Sequence, residues 1–366
     1  MKVRPCPSAE NRLLKAAQYN CNFTHTFADL LFYTTICINN QVAVSVLIDT
    51  GSAVTWVRKD LWQPDQRPLS NVPIEIRYED ESSSRVVFYD VTLGLLTSGG
   101  HAVQAPHFKL GTTTAKNNSA HGFVGLMGLS YGDVEDEDYK MIQKPYQILD
   151  ALPYRQPKEV NDLKVFTMWM EDGRFGEGWL LFGSTLPHCH KPDTLATVNM
   201  VDFAMRQTAW LAVQPLKIEI RDKSSQKVLI FENKTCLQLF DIGAGGMLLP
   251  YSMAAWLEPI LETNLEGWKF NYGETRNLTK DLLAYVPTFI VEYESKEFRL
   301  EPQDYLERLD FSALFMWGDY AMEPWKEEDM IAIGAPFYRK YYTEWQYDQQ
   351  KIRIAEKTEF CDPDPD

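Results

Sequence analysis

Val46-Leu47-Ile48-Asp49-Thr50-Gly51-Ser52 is an apolar strand that ends in a carboxylate and turns on a glycine. The chain repeats the pattern 192 residues later, at Gln238-Leu239-Phe240-Asp241-Ile242-Gly243-Ala244. Asp-x-Gly alone is an ordinary turn signal. Two copies, one in each half and each closing an apolar strand, have a further reading. They can bring two carboxylates face to face. Carboxyl groups a few ångströms apart cannot both ionise, so they share one proton. Such a pair can act as base on a water and as acid on a carbonyl oxygen.

Length and composition agree with two such halves. The 366 residues exceed what one small core needs and suit two domains, divided at residues 1–190 and 191–366. The break falls where Pro187, His188, His190, Lys191, Pro192 and Asp193 interrupt the pattern. Hydrophobic residues are 45% of the chain and aromatics 13%, enough for a large core. A net charge of -15 argues against nucleic acid or an anionic membrane as partner. It fits work at low pH, where protonation brings the charge toward zero, and equally fits simple solubility.

Strands are expected over 31–38, 42–48, 73–78, 85–95, 164–170 and 178–183. The second half adds 208–220, 227–231, 236–241, 246–250, 287–293 and 351–355. Helical periodicity is confined to 139–151, 252–263 and 302–308. The chain therefore reads as mostly β with a few short helices.

No stretch is long and apolar enough to span a bilayer. Met1 to Lys15 is polar, with no signal-peptide h-region. Sequons at Asn22, Asn117, Asn233 and Asn277 are suggestive of a secreted or vesicular glycoprotein, with a leader not present in this sequence. Cys6, Cys21, Cys37, Cys189, Cys236 and Cys361 are even in number and show no C-x-x-C spacing. Their pairing cannot be read from sequence; a Cys6–Cys361 bond tying the two ends is one guess.

Other motifs lack context. Gly128-Leu129-Ser130-Tyr131-Gly132 fits G-x-S-x-G, but that elbow needs an acid and then a histidine later in the chain. The only later histidines, His188 and His190, lie in the connector. His188-Cys189-His190 is a weak metal motif, better read as a loop with a paired or buried cysteine. Gly243-Ala244-Gly245-Gly246 has no Gly-Lys-Ser/Thr to make it a phosphate loop.

Taken in order, the motifs resemble the pepsin-like aspartic peptidases. Trp56, seven residues after Asp49, completes a D-T-G-S…W-V run. Ile76-Arg77-Tyr78 looks like the start of the family's flap hairpin, with Tyr89-Asp90 at the family spacing. Phe123 to Leu129 resembles F-D-G-I-L-G-L, Cys236 to Pro250 the second catalytic stretch, and Ile333 to Thr343 the segment I-L-G-D-x-F-x-R-x-Y-Y-T.

The resemblance implies a bilobal β fold of two barrel-like lobes, an interlobe cleft and an interdomain sheet closing its base. It implies Asp49 and Asp241 as the catalytic dyad, Ser52 bonded to the outer oxygen of Asp49, and Tyr78 with Trp56 positioning the flap. Thr50 would bond across to the opposite loop, and Gly51 and Gly243 would allow the tight turns. The chemistry needs no metal and no organic cofactor. The expected partner is a peptide or protein substrate, acting on a monomer.

The departures pull the other way. Ile242 and Ala244 stand where the family carries hydroxyls, so Ile242 cannot bond across to the first loop. That would leave opposing backbone groups short of a partner, at a cost of about 1–3 kcal/mol for a buried group. Glu79-Asp80-Glu81 replaces a small, glycine-bearing flap tip, and Val124 and Ala335 replace aspartates. No basic inhibitory prosegment is evident before the first strand. Two functions are thus expected to compete: an acid-acting endopeptidase, or a catalytically weak or inactive pepsin-fold protein serving as a binding or inhibitor scaffold.

Overall fold

The computed structural model describes residues 13–17, 31–77, 83–96, 102–114, 124–130, 148–151, 165–171, 177–183, 185–201, 212–221, 227–232, 236–244, 246–249, 276–277, 287–294, 296–305, 312–313, 315–317 and 329–361. Strands dominate, as the pattern along the chain predicts, and helices are short.

Tyr33–Ile38 and Val42–Asp49 form a hairpin. Asn39 and Asn40 turn it in the left-handed region, with φ of 51° and 57°. Asparagine tolerates that conformation better than most residues. Val42–Asp49 then pairs in parallel with Gly125–Gly128. Gly125–Gly128 pairs antiparallel with Trp56–Val57, which runs parallel to Ala102–Thr113. Ala102–Thr113 pairs antiparallel with Ser83–Leu96, whose far end returns to Tyr33–Ile38. The strands thus close into a barrel, leaving no exposed edge within the ring. Ile74–Arg77 pairs with the near end of Ser83–Leu96, forming the hairpin expected at that place.

The second half repeats the order of pairing. Cys236–Phe240 lies parallel to Asp329–Ile333, which pairs antiparallel with Met247–Leu249, which in turn lies parallel to Phe315–Trp317. The repeat seen in sequence is therefore a repeat of topology. Each carboxylate strand is flanked by a parallel neighbour that arrives much later in the chain.

A long sheet underlies both halves. Its order runs Ala196–Asn199, Lys351–Glu356, Tyr341–Gln346, Val165–Met170, Glu177–Phe182 and Leu13–Ala17. Val165–Met170 and Tyr341–Gln346 are buried at every position, as suits strands covered on both faces. Phe166 stacks on Trp345 at 5.1 Å between ring centroids, and Trp345 meets Phe240 edge-on at 5.7 Å. The strand leading to Asp241 thus rests on the sheet that joins the two halves.

Several expectations are refined. The expected strand 208–220 is broken among its described residues into Ala212–Val213 and Lys217–Arg221, with Pro215 in the gap. Of the expected helices, 148–151 and 302–305 are helical, and 252–263 lies outside the described residues. Ala102–Thr113 was not anticipated, because Pro106 and Gly111 interrupt its pattern. The structure accommodates Pro106 at a bulge: the register shifts between Val91 and Leu93, and His107 has φ 58°.

Cys361 is bonded to Cys189 rather than to Cys6. The disulfide fastens the end of the chain to the connector instead of to its start. Cys37 is also disulfide-bonded. The sequons at Asn22, Asn117 and Asn233 lie outside the described residues.

Candidate active site

Asp49 ends its strand almost fully buried, at 6% exposure. The Gly51 N–H donates to its Oδ1 at 2.7 Å, and the Ser52 hydroxyl donates to its Oδ2 at 2.5 Å. The loop is anchored from the neighbouring strand: Leu129 N–H donates to the Asp49 carbonyl at 2.7 Å and Ser130 N–H to the Ser52 carbonyl at 2.9 Å.

Asp241 is held in a related way. The Gly243 N–H donates to its Oδ1 at 2.8 Å. Its own N–H donates to the Ile333 carbonyl at 3.0 Å, and Ala335 N–H donates to the Ala244 carbonyl at 2.9 Å.

The two loops face each other at van der Waals distance. A Cβ on Gly51 would stand 2.9 Å from Asp241 Cγ, and one on Gly243 would stand 2.5 Å from Asp49 Oδ1. Glycine is needed at both positions because each carboxylate occupies the space where the opposite loop's side chain would be. Burial raises the pKa of Asp49; hydrogen bonds from Ser52, from Asp241 and from the Gly51 and Ser52 N–H groups oppose that rise. A carboxyl–carboxyl hydrogen bond requires one of the two groups to carry a proton.

Thr50 ties the loops together. Its hydroxyl donates to the Phe240 carbonyl at 2.8 Å and accepts the Ile242 N–H at 2.9 Å, fully buried. Ile242 cannot reciprocate; its side chain is packed in the hydrophobic core. The lock therefore closes from one side. Ala244 is the counterpart of Ser52, three residues after its aspartate, and brings no hydroxyl.

Trp56 is fully buried, in a cluster with Ile74, Ile76, Val86 and Phe88 from the adjoining hairpin. It packs among the strands of that hairpin and presents no surface to solvent. Tyr78 lies outside the described residues.

Gly128 and Gly334 entered the sequence reading only as members of longer motifs, with no packing role assigned to them. A Cβ on Gly128 would stand 2.6 Å from the Val54 carbonyl and 2.7 Å from that of Ser52. On Gly334 it would strike the Ala244 and Gly246 carbonyls, the equivalent atoms of the second loop. A second repeat was the available signal: Leu126-Met127-Gly128 and Ala332-Ile333-Gly334 each end an apolar strand on glycine.

The other motifs fall away. The His188-Cys189-His190 segment holds a buried, disulfide-bonded Cys189, so neither sulfur of the Cys189–Cys361 pair is a free thiolate. Ser130 is buried beside the first carboxylate loop, its N–H bonded to Ser52, with Tyr347 O–H donating to the neighbouring Leu129 carbonyl.

A family model described as eukaryotic aspartyl protease matches residues 32–357. The chain belongs to the eukaryotic aspartyl protease family. The structure is similar to that of the aspartic proteinase from Irpex lacteus, with a TM-score of 0.68 and 15% identity over 94% of this chain and 97% of that one. At that identity the likeness speaks for the fold. The two loops are unequal: Ser52 and Thr50 supply hydroxyls on one side, and Ala244 and Ile242 supply none on the other.

Proposed function

We propose that the chain is an aspartic endopeptidase in which Asp49 and Asp241 share one proton and activate a water. The observation that carries this reading is the mutual approach of the two carboxylates across Gly51 and Gly243. The ionised member takes a proton from water as its oxygen attacks the scissile carbonyl carbon. The protonated member donates a hydrogen bond to the carbonyl oxygen. Collapse of the tetrahedral intermediate breaks the C–N bond, and the amine leaves with a proton from the dyad. No acyl-enzyme forms and no metal or organic cofactor takes part.

In this reading residues 1–190 and 191–366 form the two lobes of a monomer, and substrate lies in the cleft between them. Tyr78 covers the substrate, with Trp56 packed behind the hairpin that carries it. The acidic charge and the sequons suit a secreted or vesicular enzyme working at low pH.

Ile242 and Ala244 favour a second reading, a weak or inactive scaffold that binds peptides in the cleft, because loosely supported groups can be present without being productive. Incubation of a denatured protein substrate from about pH 3 to about pH 7, with and without pepstatin, separates the two. Pepstatin-sensitive cleavage at acid pH supports the peptidase. No cleavage by folded protein leaves the scaffold.

A further inference from the structure

The sheet of Lys227–Glu232, Lys217–Arg221, Thr288–Tyr293 and Lys296–Leu300 has two edges. An edge strand offers its outer backbone N–H and C=O groups to any strand that can pair with them, so folded chains usually cover it. One edge here is covered. The Tyr341 hydroxyl accepts the Arg299 N–H at 2.6 Å and donates to the Arg299 carbonyl at 2.7 Å, closing Lys296–Leu300 at that point. The outer strand of the long sheet, Ala196–Asn199, is treated alike: Thr197 N–H donates to the Glu294 carboxylate at 2.8 Å.

The other edge is Lys227–Glu232. Lys217–Arg221 pairs with one side of it. Among the described residues, no strand and no side chain bonds to its other side. Its sequence, Lys-Val-Leu-Ile-Phe-Glu, sets an apolar run rich in strand formers between one cation and one anion.

The register makes this edge complementary to itself. Ile230 lies opposite Glu219, Glu232 opposite Lys217 and Lys227 opposite Arg221. Val228 is the extra residue of a bulge, because Leu229 pairs with Ile220 and Lys227 with the next residue, Arg221. Lys227 and Glu232 therefore stand two ladder positions from Ile230, in opposite directions. Without the bulge Lys227 would fall one position further out. Two copies of the strand laid antiparallel about a two-fold axis at Ile230 bring Ile230 opposite Ile230, Leu229 opposite Phe231, and Lys227 opposite Glu232 at both ends. Opposite charges facing each other across an antiparallel pair stabilise it, and like charges destabilise it. A parallel alignment would set lysine beside lysine and glutamate beside glutamate.

We propose that Lys227–Glu232 is a self-association edge, and that its occupant is the same strand of a second copy of this chain. A two-fold interface of this kind uses one patch on both subunits and closes as a dimer. The sheet then runs on from one copy into the other. Each two-lobed monomer keeps its own pair of aspartates, so the proposal stands apart from the peptidase reading.

The test is a charge swap on the whole chain, read by sedimentation velocity at low salt over the micromolar to millimolar range. The wild type is expected to dimerise as concentration rises, and the backbone amides of 227–232 to exchange more slowly as it does. Lys227→Glu and Glu232→Lys each set like charges opposite one another at both ends. Each variant alone is expected to associate about tenfold more weakly. An equimolar mixture of the two restores opposite charges at both ends and is expected to regain wild-type association. That recovery also rules out misfolding as the cause of the loss. A wild type that stays monomeric throughout overturns the proposal, as does a dimer that neither variant weakens. Loss in both folded variants without recovery in the mixture overturns it too. If a variant does not melt cooperatively, amide exchange in the wild type decides: exchange at 227–232 that ignores concentration overturns the proposal.

Discussion

Thr50 accepts the backbone N–H of Ile242 at 2.9 Å across a separation of 192 residues. Nothing comes back from the Ile242 side chain, which is buried among apolar neighbours. The contact ties the two loops through one threonine hydroxyl. Several consequences of that asymmetry are measurable.

Thr50→Val keeps the shape and removes the hydroxyl. It leaves the Phe240 carbonyl and the Ile242 N–H without their partner in a buried site. The expected loss is about 2–4 kcal/mol in urea unfolding, with a fall in activity. A change within experimental error would show that the loops are held by packing alone.

Ile242→Thr with Ala244→Thr restores the missing hydroxyls. The first supplies the reciprocal bond between the loops; the second gives Asp241 what Ser52 gives Asp49 at 2.5 Å. Hydrogen bonding to a carboxylate favours its charged form. The double variant is expected to raise kcat/KM several-fold and to extend activity toward lower pH. A variant no faster than wild type rejects this account of the second loop.

Asp49 also gives the protein a pH-dependent stability. Burial raises its pKa in the folded state above the ordinary aspartate value. The folded state therefore holds this proton more tightly than the unfolded one. The contribution to stability is fully present below the unfolded pKa and is lost as pH rises through the folded one. Asp49→Asn removes the charge, so its melting temperature is expected to exceed that of wild type at neutral pH. The gap should narrow in acid. A gap that is constant with pH would contradict burial as the governing cause.

Substrate preference follows from sequence. On the peptidase reading, which takes Glu79, Asp80 and Glu81 as the flap tip, peptides with Lys near the scissile bond are expected to be cut faster than the same peptides with Glu. Added salt should shrink the difference. Equal rates for the two peptides would show that the tip does not face the substrate.

The repeated apolar run before each aspartate was enough to foresee strands at Val42–Asp49 and Cys236–Phe240, because periodicity and the glycine turn are local signals. Their parallel neighbours, Gly125–Gly128 and Asp329–Ile333, were not foreseen as strands. Each is a short apolar run whose pairing is set by contacts from far along the chain, which local pattern cannot reveal. Ala102–Thr113 was hidden by a proline that the barrel absorbs in a bulge. At the site, the residues next to the aspartates were legible from spacing. The Cys189–Cys361 bond was out of reach, as sequence fixes the number of cysteines and not their pairing.

The most direct measurement compares wild type with Asp49→Asn and Asp241→Asn, each changed singly, by hydrolysis of one peptide across the acid range. The account predicts cleavage at acid pH by the wild type, inhibited by pepstatin, and abolished in both variants while each stays folded. Cleavage that survives the loss of either aspartate would contradict the shared-proton dyad.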